Sequence, residues 1–238
     1  MGYIKMKRRH LKQQGFTLTE LMIVVALAAI FATLAVPNMS GMIARQRIQS
    51  QASEIANALT FAHTEAVRQG KPVFVVPAKI KTDGKLDGPT NDWTSADTNA
   101  VLVFADENKT GNTAQKYDSG EDLRVVSLNS KLTRTLSQES LGKALSTGTP
   151  PTNMAFTYYS NGQMRIGKID SSSNEVTVTN PPGAIARIVI KDSKRVTKNQ
   201  TSRYCEVIRA DATGRASLHT SSNGKRSALT SDDFFYCQ

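Results

Sequence analysis

The rhythm of apolar positions changes twice along this chain. From Phe16 to Val36 the sequence reads FTLTELMIVVALAAIFATLAV, 21 residues in which Glu20 is the one charge, and no other follows before Arg45. As a helix that run would span about 31 Å, the thickness of a bilayer core. After Pro37 the apolar residues thin to a stripe. Ile48, Ala52, Ile55, Leu59, Ala62 and Ala66 follow one another at intervals of four and three, the period of a helix with one buried face. Gly70 and Pro72 provide its stop signal, and Pro37 is where a kink or local melting is expected.

Beyond Pro72 the period becomes that of strands. Strand-like runs fall at Val73–Ala78, Val101–Ala105, Leu123–Leu128, Met154–Tyr159, Gln163–Ile169, Ala184–Lys191, Tyr204–Ala210 and Arg215–His219. Turn signals separate several of them, with Asn161-Gly162 the strongest hairpin signal. No helical pattern alternates with these runs. The expected fold is therefore α+β, a long N-terminal helix packed on a mostly antiparallel, sandwich-like sheet. Residues 79–99 and 130–153 are polar and rich in Gly, Pro and Thr, and read as long loops that bind something or move.

Charge refines the start of the chain. Lys5, Lys7, Arg8, Arg9 and Lys12 precede the apolar run with no acid among them. A positive flank of this kind keeps the N-terminus in the cytoplasm and sends the rest across the inner membrane. A cleaved secretory signal has a similar layout. Here the apolar run is long for that role, and it continues straight into the amphipathic stripe. A plain anchor would leave Glu20 unexplained, because a carboxylate within a membrane segment calls for a partner charge. Cleavage after Gly15 would create one, an α-amine on Phe16 a single helical turn away.

Gly15 followed by FTLTELMIVVALAAIFATLAVPN resembles the leader and first helix of type IV pilins and type II secretion pseudopilins. The glycine before the cut, the phenylalanine after it, Glu20 and Pro37 all agree in spacing. The resemblance implies that a prepilin peptidase cuts Gly15-Phe16 and methylates the Phe16 amine. It also implies that Glu20 pairs with a Phe16 amine, typically a neighbouring subunit's, during assembly. The chain then divides into a leader (1–15), an apolar helix half (16–44), and an exported head of amphipathic helix (45–69) and β-rich domain (70–238).

Further motifs narrow the resemblance to the GspH/FimT/FimU group, most of all to FimU. They are Leu59-Thr-Phe-Ala-His-Thr-Glu-Ala-Val-Arg-Gln-Gly70, Phe104-Ala-Asp-Glu-Asn108 with Gly111, Ser119-Gly-Glu-Asp-Leu-Arg-Val125, Asn161-Gly162 and Thr213-Gly-Arg215. The group implies a minor pilin without enzymatic activity, acting at filament tips to start assembly. Its partners would be other minor pilins, the major pilin, the prepilin peptidase and the inner membrane. Localisation would pass from a single-pass inner-membrane form to the extracellular fibre.

The chain has two cysteines, Cys205 and Cys237, and in an oxidising compartment a disulfide is their first reading. No catalytic constellation, cofactor motif or metal-ligand set is visible. His10, His63 and His219 are scattered, and His63 on the helix reads as a solvated or interfacial residue. Asp106, Asn108, Thr110 and Gly111 imitate the start of a calcium loop, but Tyr117 stands where a closing acid belongs, and a polar hairpin turn explains the same residues. Asn199-Gln-Thr201 has the form of a glycosylation acceptor and reads as incidental.

The overall charge of +10 falls to +5 without the leader. Residues 187–238 hold ten bases against five acids, so the C-terminal part is the basic part. Arg209, Arg215, Lys225 and Arg226 cluster there as candidates for DNA or partner binding. Some FimT-type relatives bind DNA for uptake through a C-terminal Gly-Arg-x-Arg motif. This chain has Gly214-Arg215-Ala216-Ser217, without the second arginine. A basic face meeting an acidic pilin stays open beside DNA, as does a GspH-like place in type II secretion.

Overall fold

The computed structural model describes residues 16–106, 116–140, 143–144, 152–170, 172–173, 175–178, 184–192, 194 and 204–220, with backbone alone at 34–38, 139–140, 143–144, 184 and 220. Its contacts divide the chain into two compact units, Met1–Ile43 and Ala44–Gln238. A single helix, α1 (Leu18–Gln69), contributes to both and is continuous through Pro37. Strands follow in the order β1 (Val73–Ile80), β2 (Leu86–Pro89), β3 (Ala100–Ala105), β4 (Asp122–Ser127), β5 (Thr133–Ser140), β6 (Lys143–Ala144), β7 (Met154–Tyr158), β8 (Met164–Asp170), β9 (Glu175–Val178), β10 (Ala184–Lys191), β11 (Cys205–Ala210) and β12 (Ala216–Thr220).

In the second unit the helical stripe does what its spacing requires. Ile48, Ala52, Ile55, Leu59, Ala62 and Ala66 are all buried. Each large member contributes about 1.5–3 kcal/mol by leaving water, and the alanines let the sheets approach the helix closely. Two antiparallel sheets complete the unit. The larger runs β4-β3-β1-β7-β8-β9, with β2 added to β1; the smaller runs β12-β11-β10-β5-β6. One core joins the helix to the inner faces of both sheets, through Val73, Val101 and Phe156 of the first and Leu136, Ile188 and Ile208 of the second.

Strand β1 is apolar from Val73 to Ala78 because that stretch is buried on both faces. Val73 and Val75 join the main core, while Phe74, Val76 and Ala78 form a second cluster with Leu102 and Phe104 on the opposite face. The eight anticipated strands are all present. β2, β5, β6 and β9 lie where loops were expected or where no element was.

Residues 79–99 are therefore not a free loop. They carry β2 and a fully buried Trp93 whose indole Nε1 donates to Met154 O at 2.6 Å. Asn99 closes the same segment, accepting from Ile80 N at 2.6 Å and donating to Ile80 O at 2.8 Å. The buried Arg134 guanidinium of β5 donates to Trp93 O and Thr98 O, both at 3.1 Å. Within 130–153, residues 133–140 were likewise underestimated, since β5 sits between β10 and β6 inside the second sheet. Lys116 bridges Glu175 of β9, at the opposite edge of the sheet from β4.

Candidate functional site

The first turn of α1 has a reciprocal cap. Glu20 N donates to Thr17 Oγ1 at 3.3 Å, and Thr17 N donates to Glu20 Oε2 at 3.4 Å. This Thr-x-x-Glu arrangement satisfies amides that a helix start otherwise leaves open. The Glu20 carboxylate is thus held one residue from the Phe16 nitrogen, on a segment whose large side chains (Phe16, Leu21, Ile23, Ile30 and Phe31 among them) are exposed. Gly15 lies outside the described residues. Among the described residues no helix is long and apolar enough to cross a membrane; the side chains of 34–38, which end the apolar run, are not among them.

At the other end of α1, His63 seats two hairpin turns. Gly162 and Gly214 both take positive φ, 80° and 81°. A Cβ on Gly214 would meet Gly162 O at 2.5 Å and the His63 ring at 2.7 Å. Met164 N donates to Ala212 O at 3.0 Å, joining the two sheets at these turns. The Tyr158 ring packs beside His63, with centroids 5.9 Å apart. Burial, with Asp211 nearby, pushes its phenol pKa up. His63, read from sequence as a solvated or interfacial residue, is a half-buried structural seat.

The basic candidates are dispersed. Arg215 is exposed on the β11–β12 turn, where Asp211 accepts from its backbone N at 3.2 Å and from Thr213 N at 3.0 Å. It makes no ion pair with any described residue. Arg209 is half-buried on β11, directly opposite Arg187 of β10. Sequence reasoning did not single out Arg187; strand alternation alone would have put it on a face, but not against Arg209. Lys225 and Arg226 lie outside the described residues. Cys205 is buried and is not a free thiol, whereas Cys237 lies outside the described residues.

Of the calcium-like run, Asp106 Oδ2 accepts from Lys116 N at 3.4 Å; Asn108, Thr110 and Gly111 are outside the description. Tyr117 is buried edge-on against Phe104 at 5.3 Å. Among the described residues there is no group of three or more metal-ligating side chains.

Residues 10–36 match the family described as prokaryotic N-terminal methylation motif, and residues 51–214 match type II transport protein GspH. The second match covers more than half of the sequence. The chain belongs to the GspH family. It is a structural subunit of the pilin and pseudopilin kind and not an enzyme. The GspH match ends at Gly214, so Arg215, β12 and all that follows lie beyond it.

Two fimbrial proteins resemble the chain over a shorter stretch. One is a fimbrial protein of Pseudomonas aeruginosa, 43% identical over 61 residues, 26% of this chain and 39% of that one. The other is the type IV major fimbrial protein FimA of Dichelobacter nodosus, 40% identical over 65 residues, 26% and 42%. The chain thus spans about two fifths of the length of these relatives. Among solved structures, the Pseudomonas aeruginosa type IV minor pilin FimU has 17% identity over 75% of this chain and 92% of that one, with a TM-score of 0.41. The minor pseudopilin EpsH of the Vibrio cholerae type II secretion system has 13% identity over 76% and 99%, with a TM-score of 0.37.

Proposed function

We propose that this chain is a FimU-like minor pilin of a type IV pilus. A prepilin peptidase removes residues 1–15, cutting Gly15-Phe16 and methylating Phe16. The apolar helix half (16–44) holds the subunit in the inner membrane and then enters the filament, with Pro37 as its bend. The exported head (45–238) contacts other minor pilins and links the tip complex to the major pilin shaft. Cys205 and Cys237 pair, which fits a chain of two cysteines whose Cys205 is not a free thiol.

The observation that carries this reading is the cap at Thr17 and Glu20. It holds the single acid of the apolar run beside the backbone position that cleavage converts to an amine. An ammonium there and a carboxylate in apolar surroundings attract strongly, and a neighbouring subunit supplies the same amine during assembly. Mass spectrometry of the natural product tests the first step, since an intact leader would refute it. A pull-down of the processed head against the remaining minor pilins tests the second; binding to none of them would refute the tip role. Neighbouring genes for secretion instead of pili would move the chain to type II secretion.

A DNA-binding role is favoured by one observation, the exposed Arg215 at a turn tip with its backbone pinned by Asp211. It predicts a salt-sensitive retardation of DNA that Arg215→Gln weakens. No retardation at low salt would dismiss it.

A further inference from the structure

The two edges of the larger sheet are treated differently. At β9 the backbone of Lys116 comes in to bridge Glu175, whereas β4 pairs with β3 alone among the described strands. Leu128 N donates to Asn99 O at 2.7 Å, so strand alternation turns the N–H and C=O of Ser127 and Val125 away from β3. Gln51 of α1 takes part of that open edge. Its Nε2 donates to Ser127 O at 3.3 Å and its Oε1 accepts from Asn129 N at 2.6 Å, the two bonds that a neighbouring parallel strand would make. At the other end the ladder shifts register between Val103 and Phe104, which leaves Leu123 as the extra residue of a bulge in β4. Between the bulge and the Gln51 carboxamide remain Val125 N–H, Val125 C=O and Ser127 N–H. No hydrogen bond reaches them from a described residue.

We propose that this edge receives an extended segment of a neighbouring subunit, one with two acidic side chains about six residues apart. The inference rests on the pilus reading above and adds to it the surface used and the chemistry of the partner. A strand laid along β4 would form main-chain bonds at Val125 and Ser127, in the register that Gln51 and the bulge leave open. Its inner side chains would face α1 across a groove of about 310 Å³, with Arg47, Gln51 and Glu54 on one wall and residues 127–129 on the other. Two arginines flank that path. Arg47 is exposed, and Arg124 of β4, also exposed, lies over the Phe61 ring of α1 at 5.6 Å. Neither makes an ion pair with a described residue. A charge on an edge strand ordinarily deters pairing; here it selects a partner that brings an acid. From Arg47 to Phe61 is fourteen helical residues, about 21 Å, which an extended chain covers in about six. An even spacing turns both acids toward α1, one for each arginine. Glu54 stands midway, accepting from Ser50 Oγ at 3.2 Å, so the helix-facing positions between the two acids carry no acid themselves. Asp122 lies beyond the bulge and outside the path.

The test titrates the processed full-length chain, in detergent, with each of the other minor pilins of the same pilus. Hydrogen exchange is read amide by amide in the free chain and in the complex that forms. With the edge occupied, the Val125 and Ser127 amides slow by about tenfold or more on binding. Those of Arg124 and Val126, already turned to β3, change little. Val125→Pro removes one outward donor and spares the β3 ladder, since an edge strand accepts proline where its N–H faces outward; it weakens binding about tenfold. The double reversal Arg47→Glu/Arg124→Glu weakens binding by about tenfold at low salt, and the difference shrinks at high salt. Lys85→Glu, an exposed cation on the β1–β2 turn, leaves affinity within about twofold of the parent. A complex in which the Val125 and Ser127 amides stay unprotected, or a folded Val125→Pro chain that binds as tightly as the parent, would overturn the strand addition. A charge reversal without effect at low salt would overturn the acidic partner. Binding to none of the minor pilins would remove the tip role, and this surface with it.

Discussion

The carbonyl oxygen of Gly162 lies 2.5 Å from the point where a side chain on Gly214 would begin. The two residues belong to different sheets, one on the β7–β8 turn and the other on the β11–β12 turn. Both have positive φ, which β-carbon-bearing residues rarely adopt. Their contact over His63 is one of the places where the sandwich is fastened at its turn end.

Gly214→Ala is therefore expected to lower stability by about 2–3 kcal/mol, combining an unfavourable φ with a backbone clash. Thermal unfolding of the unit Ala44–Gln238 would show it. Gly84→Ala, also at positive φ but with nothing within 4 Å of its added carbon, should cost less. Equal losses would mean that the Gly162 contact is not what matters.

Thr17→Ala removes the cap at the start of α1 and is expected to cost about 1 kcal/mol locally. The readout is hydrogen exchange at the amides of 18–21 in detergent, which should quicken, while Thr33→Ala leaves those amides unchanged. Protection unaffected by Thr17→Ala would mean that Glu20 is held by something other than this cap.

Arg134→Met keeps the length of the side chain and removes its donors. The carbonyls of Trp93 and Thr98 then lose their partner inside the core, an expected loss of about 3 kcal/mol. Burial already presses on this group, holding the Arg134 pKa below the ordinary arginine value. A variant as stable as the parent would show that water satisfies those carbonyls equally well.

Glu65 gives a pH dependence. Hydrogen bonds from Arg68 and then Gln69 lower its pKa to about 2. Arg68 Nε donates to Glu65 Oε2 at 2.9 Å and Gln69 Nε2 to Oε1 at 2.6 Å. Since the folded carboxyl is the more acidic, its contribution is complete above the unfolded value near 4.5 and is lost as pH falls toward 2. Arg68 is exposed while Glu65 is mostly covered, and solvent around the guanidinium keeps the effect small. Melting curves should fall more steeply between pH 5 and pH 2 for the parent than for Glu65→Gln; parallel curves would discount the interaction.

Local signals made much of this protein legible from its residues. The apolar run, the Glu20 within it and the four-and-three stripe each act over one or two helical turns, so neighbours in the chain suffice to define them. The eight β-branched or apolar runs behave likewise, because a strand buried on one or both faces announces itself in its own composition. β5 was hidden for the opposite reason. Its sequence TRTLSQES is polar, and it is a strand because β10 and β6 flank it.

Register and long-range contact settled the remainder. Trp93 becomes a plug only when Met154, 61 residues later, presents a carbonyl to it. Arg187 faces Arg209 only because two strands align at that pairing, and a one-residue slip of either strand would turn its arginine toward the core. His63 is a seat instead of a solvated side chain because two glycine turns from separate sheets arrive above it. Sequence alone determined which segments bury apolar surface, since that follows from composition and period. Which polar groups meet inside or across the sheets was decided by tertiary structure, because hydrogen bonds and charges act over a few ångströms between residues far apart in the chain.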